Sequence, residues 1–212
     1  PSPDPTEDIP GVTADLDVPP TGCEGGFSGG ALQLALDADV SAVRVESVGG
    51  LLVANGAECT DAAGDAVATS SLASLEVSGG ATDATVILAL GSGDFGNLLA
   101  GEESIAVALG GGNNALVLHG TDGPDHFQHG MRSGELVLDL AGDGRIALVA
   151  NGVSTLGLSL GAGDDRVGDL SALLANPSGA PPSGAAITPL SVSLVAFGAE
   201  GDDWIVGGVL DD

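Results

Sequence analysis

The chain has 212 residues, 43% of them hydrophobic, and a formal net charge of −26. Thirty acidic residues against four arginines and no lysine argue against a surface for nucleic-acid phosphates or an anionic membrane. This charge favours cations, with solubility or adaptation to high salt as competing interpretations. The 36 glycines and the aromatic content of 2% predict short strands and tight turns around a core of Val, Leu, Ile and Ala.

The N-terminal residues 1–22 are rich in proline and acidic residues, which predicts an extended arm or linker. The composition does not decide between a linker and an arm that docks on another subunit. The chain starts with Pro1, and we therefore expect a mature, processed or excised chain.

Residues 23–73 are predicted to form a small β section that caps the rest of the fold. Alternation over 31–39 predicts a strand, and residues 41–59 predict a hairpin around Gly49 and Gly50 with a further turn at Asn55 and Gly56. Cys23 and Cys59 would close a loop of about 35 residues if they form a disulfide, as in an exported protein. Two unrelated thiols are the alternative.

Residues 74–212 repeat one pattern, an alternating strand followed by a glycine-rich turn that carries Asp or Asn. The clearest copies are 86–94, 105–113, 136–144, 157–165 and 192–203. A spacing close to ten residues is too short for βαβ units but suits either an antiparallel meander or a parallel solenoid. The turns resemble one another in register, and similar turns stack only if successive rungs run in the same direction. We therefore predict an all-β, parallel β-solenoid.

Two segments break the repeat and are predicted to be loop insertions, at 124–134 and 175–189. The first lies in the patch that holds all three histidines, His119, His126 and His129, a set that suggests a transition-metal site. A surface loop with polar side chains is the competing interpretation.

The turns at 120–127, 160–167 and 198–208 resemble degenerate copies of the Gly-Gly-x-Gly-x-Asp-x-apolar-x repeat of RTX-type calcium-binding proteins. The resemblance implies a secreted bacterial β-solenoid in which turn carboxylates and carbonyls share Ca²⁺. Carrying the ligands over by position gives eight candidates: Asp94, Asp122, Asp125, Asp143, Asp164, Asp165, Asp202 and Asp203. For each of them a solvated turn aspartate is the alternative, because Asp is an ordinary turn residue.

No sequence pattern of a catalytic nucleophile is present, and glycoside hydrolysis by paired carboxylates is disfavoured by the scarcity of aromatic platforms. We therefore expect a non-catalytic extracellular or cell-surface structural protein, stabilised by calcium. Solenoid ends can template another copy, so end-to-end association into a fibre or surface layer is expected. A polysaccharide-acting enzyme and an adhesion module of a larger surface protein are the alternatives.

Overall fold

The chain forms two β-sheets and passes from one to the other along its length. The result is a β-solenoid of about four turns. The computed structural model describes residues 16, 20, 22–36, 40–79, 83–92, 95–99, 101–170 and 186–207. The predicted all-β solenoid with parallel stacking is therefore confirmed. The strands are β1 (Ala31–Leu36), β2 (Ala42–Val48), β3 (Leu51–Ala54), β4 (Ala57–Glu58), β5 (Ser74–Gly79), β6 (Thr85–Ala89), β7 (Ile105–Leu109), β8 (Asn114–His119), β9 (His126–Arg132), β10 (Glu135–Asp139), β11 (Leu148–Asn151), β12 (Val153–Ser159), β13 (Arg166–Asp169), β14 (Ile187–Thr188), β15 (Ser193–Phe197) and β16 (Trp204–Ile205). A single short helix, α1 (Gly96–Leu99), and two 3-10 turns, Thr69–Ser71 and Leu90–Ser92, complete the described elements.

Sheet 1 has the order β1-β5-β7-β11-β10-β9-β13-β16, with β14 also paired to β9, and sheet 2 has the order β15-β12-β8-β6-β2-β3-β4. Most neighbouring pairs are parallel. The antiparallel pairs involve β3, β4, β10 and β14. The strands therefore form a parallel stack interrupted by local hairpins.

The core lies between the two sheets and consists of apolar columns, one residue from each stacked strand. In sheet 1, Leu32, Leu75 and Ile105 are register partners, and each is at most 2% exposed. In sheet 2, the column through Leu116 and Leu156 is fully buried. Because each buried Leu or Ile contributes about 1.5–3 kcal/mol, such columns can sustain a core with few aromatic rings.

The N-terminal section adds strands to both sheets, β1 to sheet 1 and β2 to sheet 2. The predicted hairpin joins β2 to β3, and Gly49 and Gly50 both have positive φ, as a two-residue hairpin turn requires. The predicted disulfide is also confirmed, since Cys23 is bonded to Cys59 and both residues are buried. Leu16, which precedes Cys23 in the chain, packs against Ile87 and Val117 on the outer face of sheet 2.

The segment 124–134, expected to be a loop insertion, contains strand β9. This strand pairs in parallel with β13 and in antiparallel fashion with β10. Phe127, His129 and Met131 point inward and are buried, so alternation is kept although a histidine occupies a core position. Of the second expected insertion, 175–189, residues 175–185 lie outside the described residues, and its end contributes β14 to the edge of β9.

Candidate functional site

Three acidic turns, residues 120–125, 160–165 and 198–203, lie one above another on one side of the solenoid. They connect β8 to β9, β12 to β13 and β15 to β16, so each leads from sheet 2 into sheet 1. The register pairs His126 with Arg166 and Arg166 with Trp204. The preceding residues, Asp125, Asp165 and Asp203, therefore occupy equivalent positions on successive rungs. The structure thus brings together three of the predicted ligand residues.

These three residues form an inner ladder of carboxylate–amide hydrogen bonds. The backbone N–H of Asp125 donates to Oδ1 of Asp165 at 2.8 Å, and the N–H of Asp165 donates to Oδ1 of Asp203 at 3.1 Å. Oδ2 of Asp125 accepts the N–H of Thr121 in its own turn at 2.7 Å. Each bond between rungs joins residues about 40 positions apart in sequence. The inner aspartates therefore hold the turns in register through direct hydrogen bonds between rungs.

Asp165 is the most enclosed member of the inner ladder, with 0% exposure. Its Oδ2 atom is buried and accepts no hydrogen bond from any residue that the structure describes. A buried carboxylate oxygen without a donor is costly unless a cation or a proton compensates it. This oxygen is accordingly the atom in the stacked turns with the strongest requirement for a positive partner.

Burial also affects the carboxyl group of Asp125. Burial raises the pKa of its carboxyl above the ordinary value of 3.8, and the nearby charge of Asp165 acts in the same direction. Hydrogen bonds from Thr121 and the Coulombic effect of His126 lower the pKa but do not cancel the rise. The charge of Asp165 on the adjacent rung therefore disfavours the ionised form of Asp125, as expected at a strand spacing of about 4.8 Å.

Asp164 and Asp202 form a second, outer row beside the inner ladder. Both are exposed, and the N–H of Asp202 donates to Oδ1 of Asp164 at 3.1 Å. Asp122 is also exposed, on the rung that contains Asp125. The paired aspartates of the sequence thus divide into one carboxylate that holds the turn and one that faces solvent.

The turn after β10 contains two aspartates in different environments. Asp143, a candidate ligand, is exposed and contacts Arg145 through one hydrogen bond and an ion pair of 3.7 Å. The buried Asp139 instead accepts three backbone N–H groups, from Ala141, Gly142 and Gly144, at 2.7–3.0 Å. Sequence reasoning missed Asp139, although an Asp directly before a glycine-rich turn is a recognisable signal. Asp94 lies outside the described residues.

The three histidines do not converge. His126 is exposed, whereas His129, on the opposite face of the same strand, is fully buried with its Nε2 atom 3.0 Å from the carbonyl oxygen of Val206. His119 is buried at the end of β8 in the other sheet. Across the described ranges, no group of three or more His, Cys, Asp or Glu side chains is arranged to hold a metal ion. Any calcium site here would therefore depend on backbone carbonyls in addition to carboxylates.

Comparison of the chain with protein-family models, with curated proteins and with solved structures gives no match. Among the helical residues that the structure describes, none belongs to a helix long and apolar enough to cross a membrane. The function must therefore be inferred from the geometry of the chain itself.

Proposed function

We propose that the protein is a non-catalytic extracellular scaffold, a calcium-stabilised β-solenoid that joins a second copy of itself through its C-terminal rung. The observation that carries this proposal is the opening of the core at that rung. Ile205 continues the inward column of Phe127 and Val167, which are 2% and 0% exposed, yet Ile205 itself is 40% exposed. An inward-facing apolar side chain that is exposed to this extent favours burial against the strands of another chain.

The strands of the same rung also support pairing with another chain. β15 and β16 are the last strands in the two sheet orders, and neither has a described partner on its outer side. Phe197, at the end of β15, is 38% exposed. Unpaired backbone groups beside exposed apolar side chains are the usual template for strand addition.

The opposite end of the stack is closed by the disulfide-linked section. The inward side chains of β1, Leu32, Leu34 and Leu36, are at most 4% exposed. Thr60 donates to the carbonyl oxygen of Cys23 at 2.8 Å, and Phe27 forms a β-bridge with Asp61. Within the described residues the C-terminal rung is open and the opposite end is closed. Pairing of two C-terminal rungs into a dimer is therefore favoured over the fibre or surface layer expected from the sequence.

The test is the mass of the purified chain by light scattering, in calcium and in chelator, together with electron microscopy. We expect a species of twice the 20.3 kDa chain mass, which Ile205→Asp converts to a monomer because it places a charge in the contact. Val48→Asp is the matched control, since Val48 is 56% exposed and lies in the hairpin at the closed end. A wild-type monomer at all concentrations, or a dimer that persists in Ile205→Asp, overturns this mode of assembly, and ordered fibres favour contacts at both ends.

Calcium is the second part of the proposal, and the buried Oδ2 of Asp165 supports it. The side chain that would hold the ion is Asp165, with turn carbonyls supplying further oxygens, because no three acidic side chains converge within the described residues. A divalent cation there would offset the repulsion between stacked carboxylates. The outer row of Asp164 and Asp202 adds negative charge near the surface and would attract cations to the turns.

An extracellular location is supported by the Cys23–Cys59 disulfide, since such bonds persist mainly in oxidising compartments.

A further inference from the structure

A groove crosses the outer face of sheet 1 where β9, β13 and β16 lie side by side. Outward positions form two rows: His126, Arg166 and Trp204 in the first, and Gln128 and Gly168 in the second, with Val206 directly after β16 beside them. Gly168 contributes no side chain to the second row, which leaves a depression between its neighbours. The resulting cavity is about 340 Å³ and is lined by both rows and by Asp169.

The depression results from the choice of glycine rather than from a backbone requirement. A Cβ atom added at Gly168 would meet nothing within 4 Å, and its φ angle is not positive. A strand interior normally favours a β-branched side chain at such a position, so glycine here costs strand stability. The glycine therefore leaves an open space at the base of the groove, between the side chains of β9 and β16.

The walls of the groove combine one large aromatic surface with polar groups. Trp204, the only tryptophan of the chain, is 61% exposed. Arg166 forms no ion pair with a described residue, although the other three arginines do. Oε1 of Gln128 is buried and lacks a hydrogen-bond partner within the described structure. Donors, an acceptor and an aromatic face are thus available together.

We propose that this groove binds a neutral oligosaccharide. A pyranose ring has an apolar face that can lie on an indole and hydroxyl groups that both donate and accept hydrogen bonds, which matches Trp204, Arg166 and Gln128. A hydroxyl that reaches Oε1 of Gln128 supplies its missing hydrogen bond.

The charge of the protein disfavours charged polysaccharides as ligands of this groove. The net charge of −26 repels anionic glycans, and Asp164 and Asp202 line an adjoining cavity together with Arg166 and Trp204. Arg166 and Asp169 both line the groove and give it one positive and one negative side chain. A neutral ligand is repelled neither by the net charge nor by either of these side chains.

The experiment uses the intrinsic fluorescence of the full chain, because its single tryptophan, Trp204, lies in the proposed site. The probes are neutral hexasaccharides of glucose, mannose and N-acetylglucosamine, with oligogalacturonate as the anionic probe and a chitosan hexamer as the cationic probe. We expect a saturable emission change with at least one neutral probe and none with the charged probes. Gly168→Val, which fills the base of the groove, should weaken binding by about tenfold or more.

Ala108→Val is the matched control, because Ala108 is an exposed residue on the outer face of the same sheet in β7, away from the groove. It should bind as the wild type does, and thermal melts confirm that both variants are folded. Absence of a response to every neutral probe, a response to the charged probes alone, or wild-type affinity in Gly168→Val each overturns the proposal. The groove and the proposed dimer contact share β16, but the two proposals have different readouts. Binding is scored by a saturable titration that Gly168→Val weakens, and assembly by the mass that Ile205→Asp changes.

Discussion

At the residue scale, the position of an aspartate within its turn decides what its carboxylate does. Asp139 and Asp143 belong to the same turn, but Asp139 is fully buried and accepts three backbone N–H groups, whereas Asp143 is exposed. A charged acceptor that satisfies several otherwise unpaired amides stabilises strongly, and an exposed ion pair contributes little.

Asp139→Ala should therefore lower the free energy of unfolding by about 3 kcal/mol, because it leaves three turn amides without their acceptor. The measurement is urea denaturation in the presence of chelator. Asp143→Ala, in the same turn, serves as the control and should change stability by less than about 0.5 kcal/mol. Equal effects for the two variants would contradict the assignment of the turn to Asp139.

The raised pKa of Asp125 gives a pH dependence with a definite sign. Between 3.8 and the raised value, the folded chain holds a proton that the unfolded chain has released. The contribution of this group to stability is therefore greatest at acid pH and is lost as the pH rises through the raised pKa. Relative to Asp125→Asn, the wild type should lose stability as the pH rises from 3.8 through the raised pKa, in denaturation curves measured with chelator. A difference between the two proteins that is constant with pH would contradict this expectation.

The candidate site was only partly predictable from individual residues. The motif correctly aligned Asp125, Asp165 and Asp203, because equal positions in successive copies become neighbours when the copies stack. The hydrogen bonds of the inner ladder could not be predicted, since each depends on the height and orientation of a turn about 40 residues away. The groove at Gly168 was missed because it requires three separate strands to be placed side by side.

At the element scale, the strands follow from alternation and the turns from glycine. β7 is the clearest example, with alternate residues buried and exposed over Ile105–Leu109. β9 was missed because histidine, glutamine and glycine obscure its alternation, although Phe127 and Met131 retain it. Whether neighbouring strands run parallel is not encoded within any one strand, and only the similarity of the turns favoured the parallel arrangement.

The Cys23–Cys59 disulfide lies in the N-terminal section, which contributes β1 to sheet 1 and β2, β3 and β4 to sheet 2. Cys23 and Cys59 are separated by 36 positions, and a cross-link over a loop of this length stabilises by about 3–4 kcal/mol in the chain-entropy model. The double variant Cys23→Ala, Cys59→Ala should lose about that much stability in urea denaturation.

Reductant provides the control for this loss. Dithiothreitol should shift the wild-type curve toward that of the double variant and leave the variant unchanged. If the reduced and oxidised wild-type proteins unfold at the same urea concentration, the disulfide does not contribute to the free energy of unfolding.

At the scale of the whole molecule, thirty acidic residues and four arginines produce strong self-repulsion. Stacking places like turns on top of one another, so acidic side chains separated by about 40 residues in sequence become neighbours. The apolar columns must therefore hold the rungs together against a charge that favours their separation.

Two kinds of cation effect can relieve this repulsion, and they can be separated. Sodium chloride should raise the melting temperature by screening, since the Debye length falls from about 30 Å at 0.01 M to about 10 Å at 0.1 M. Calcium chloride at the same ionic strength should raise it further if an ion is bound within the stacked turns, and magnesium chloride should not reproduce the excess, because Mg²⁺ retains its waters.

The Asp165→Asn variant tests whether the additional rise in melting temperature with calcium depends on the inner ladder. The amide oxygen of the variant can still accept the N–H of Asp125, but the carboxylate that the calcium proposal requires is removed. We expect Asp165→Asn to respond equally to the three salts at matched ionic strength. Asp164→Asn, which changes the exposed neighbour, should keep most of the calcium excess. If wild type and Asp165→Asn show the same response to calcium, the ladder is held by its carboxylate–amide bonds alone and the acidic surface interacts with cations only by screening.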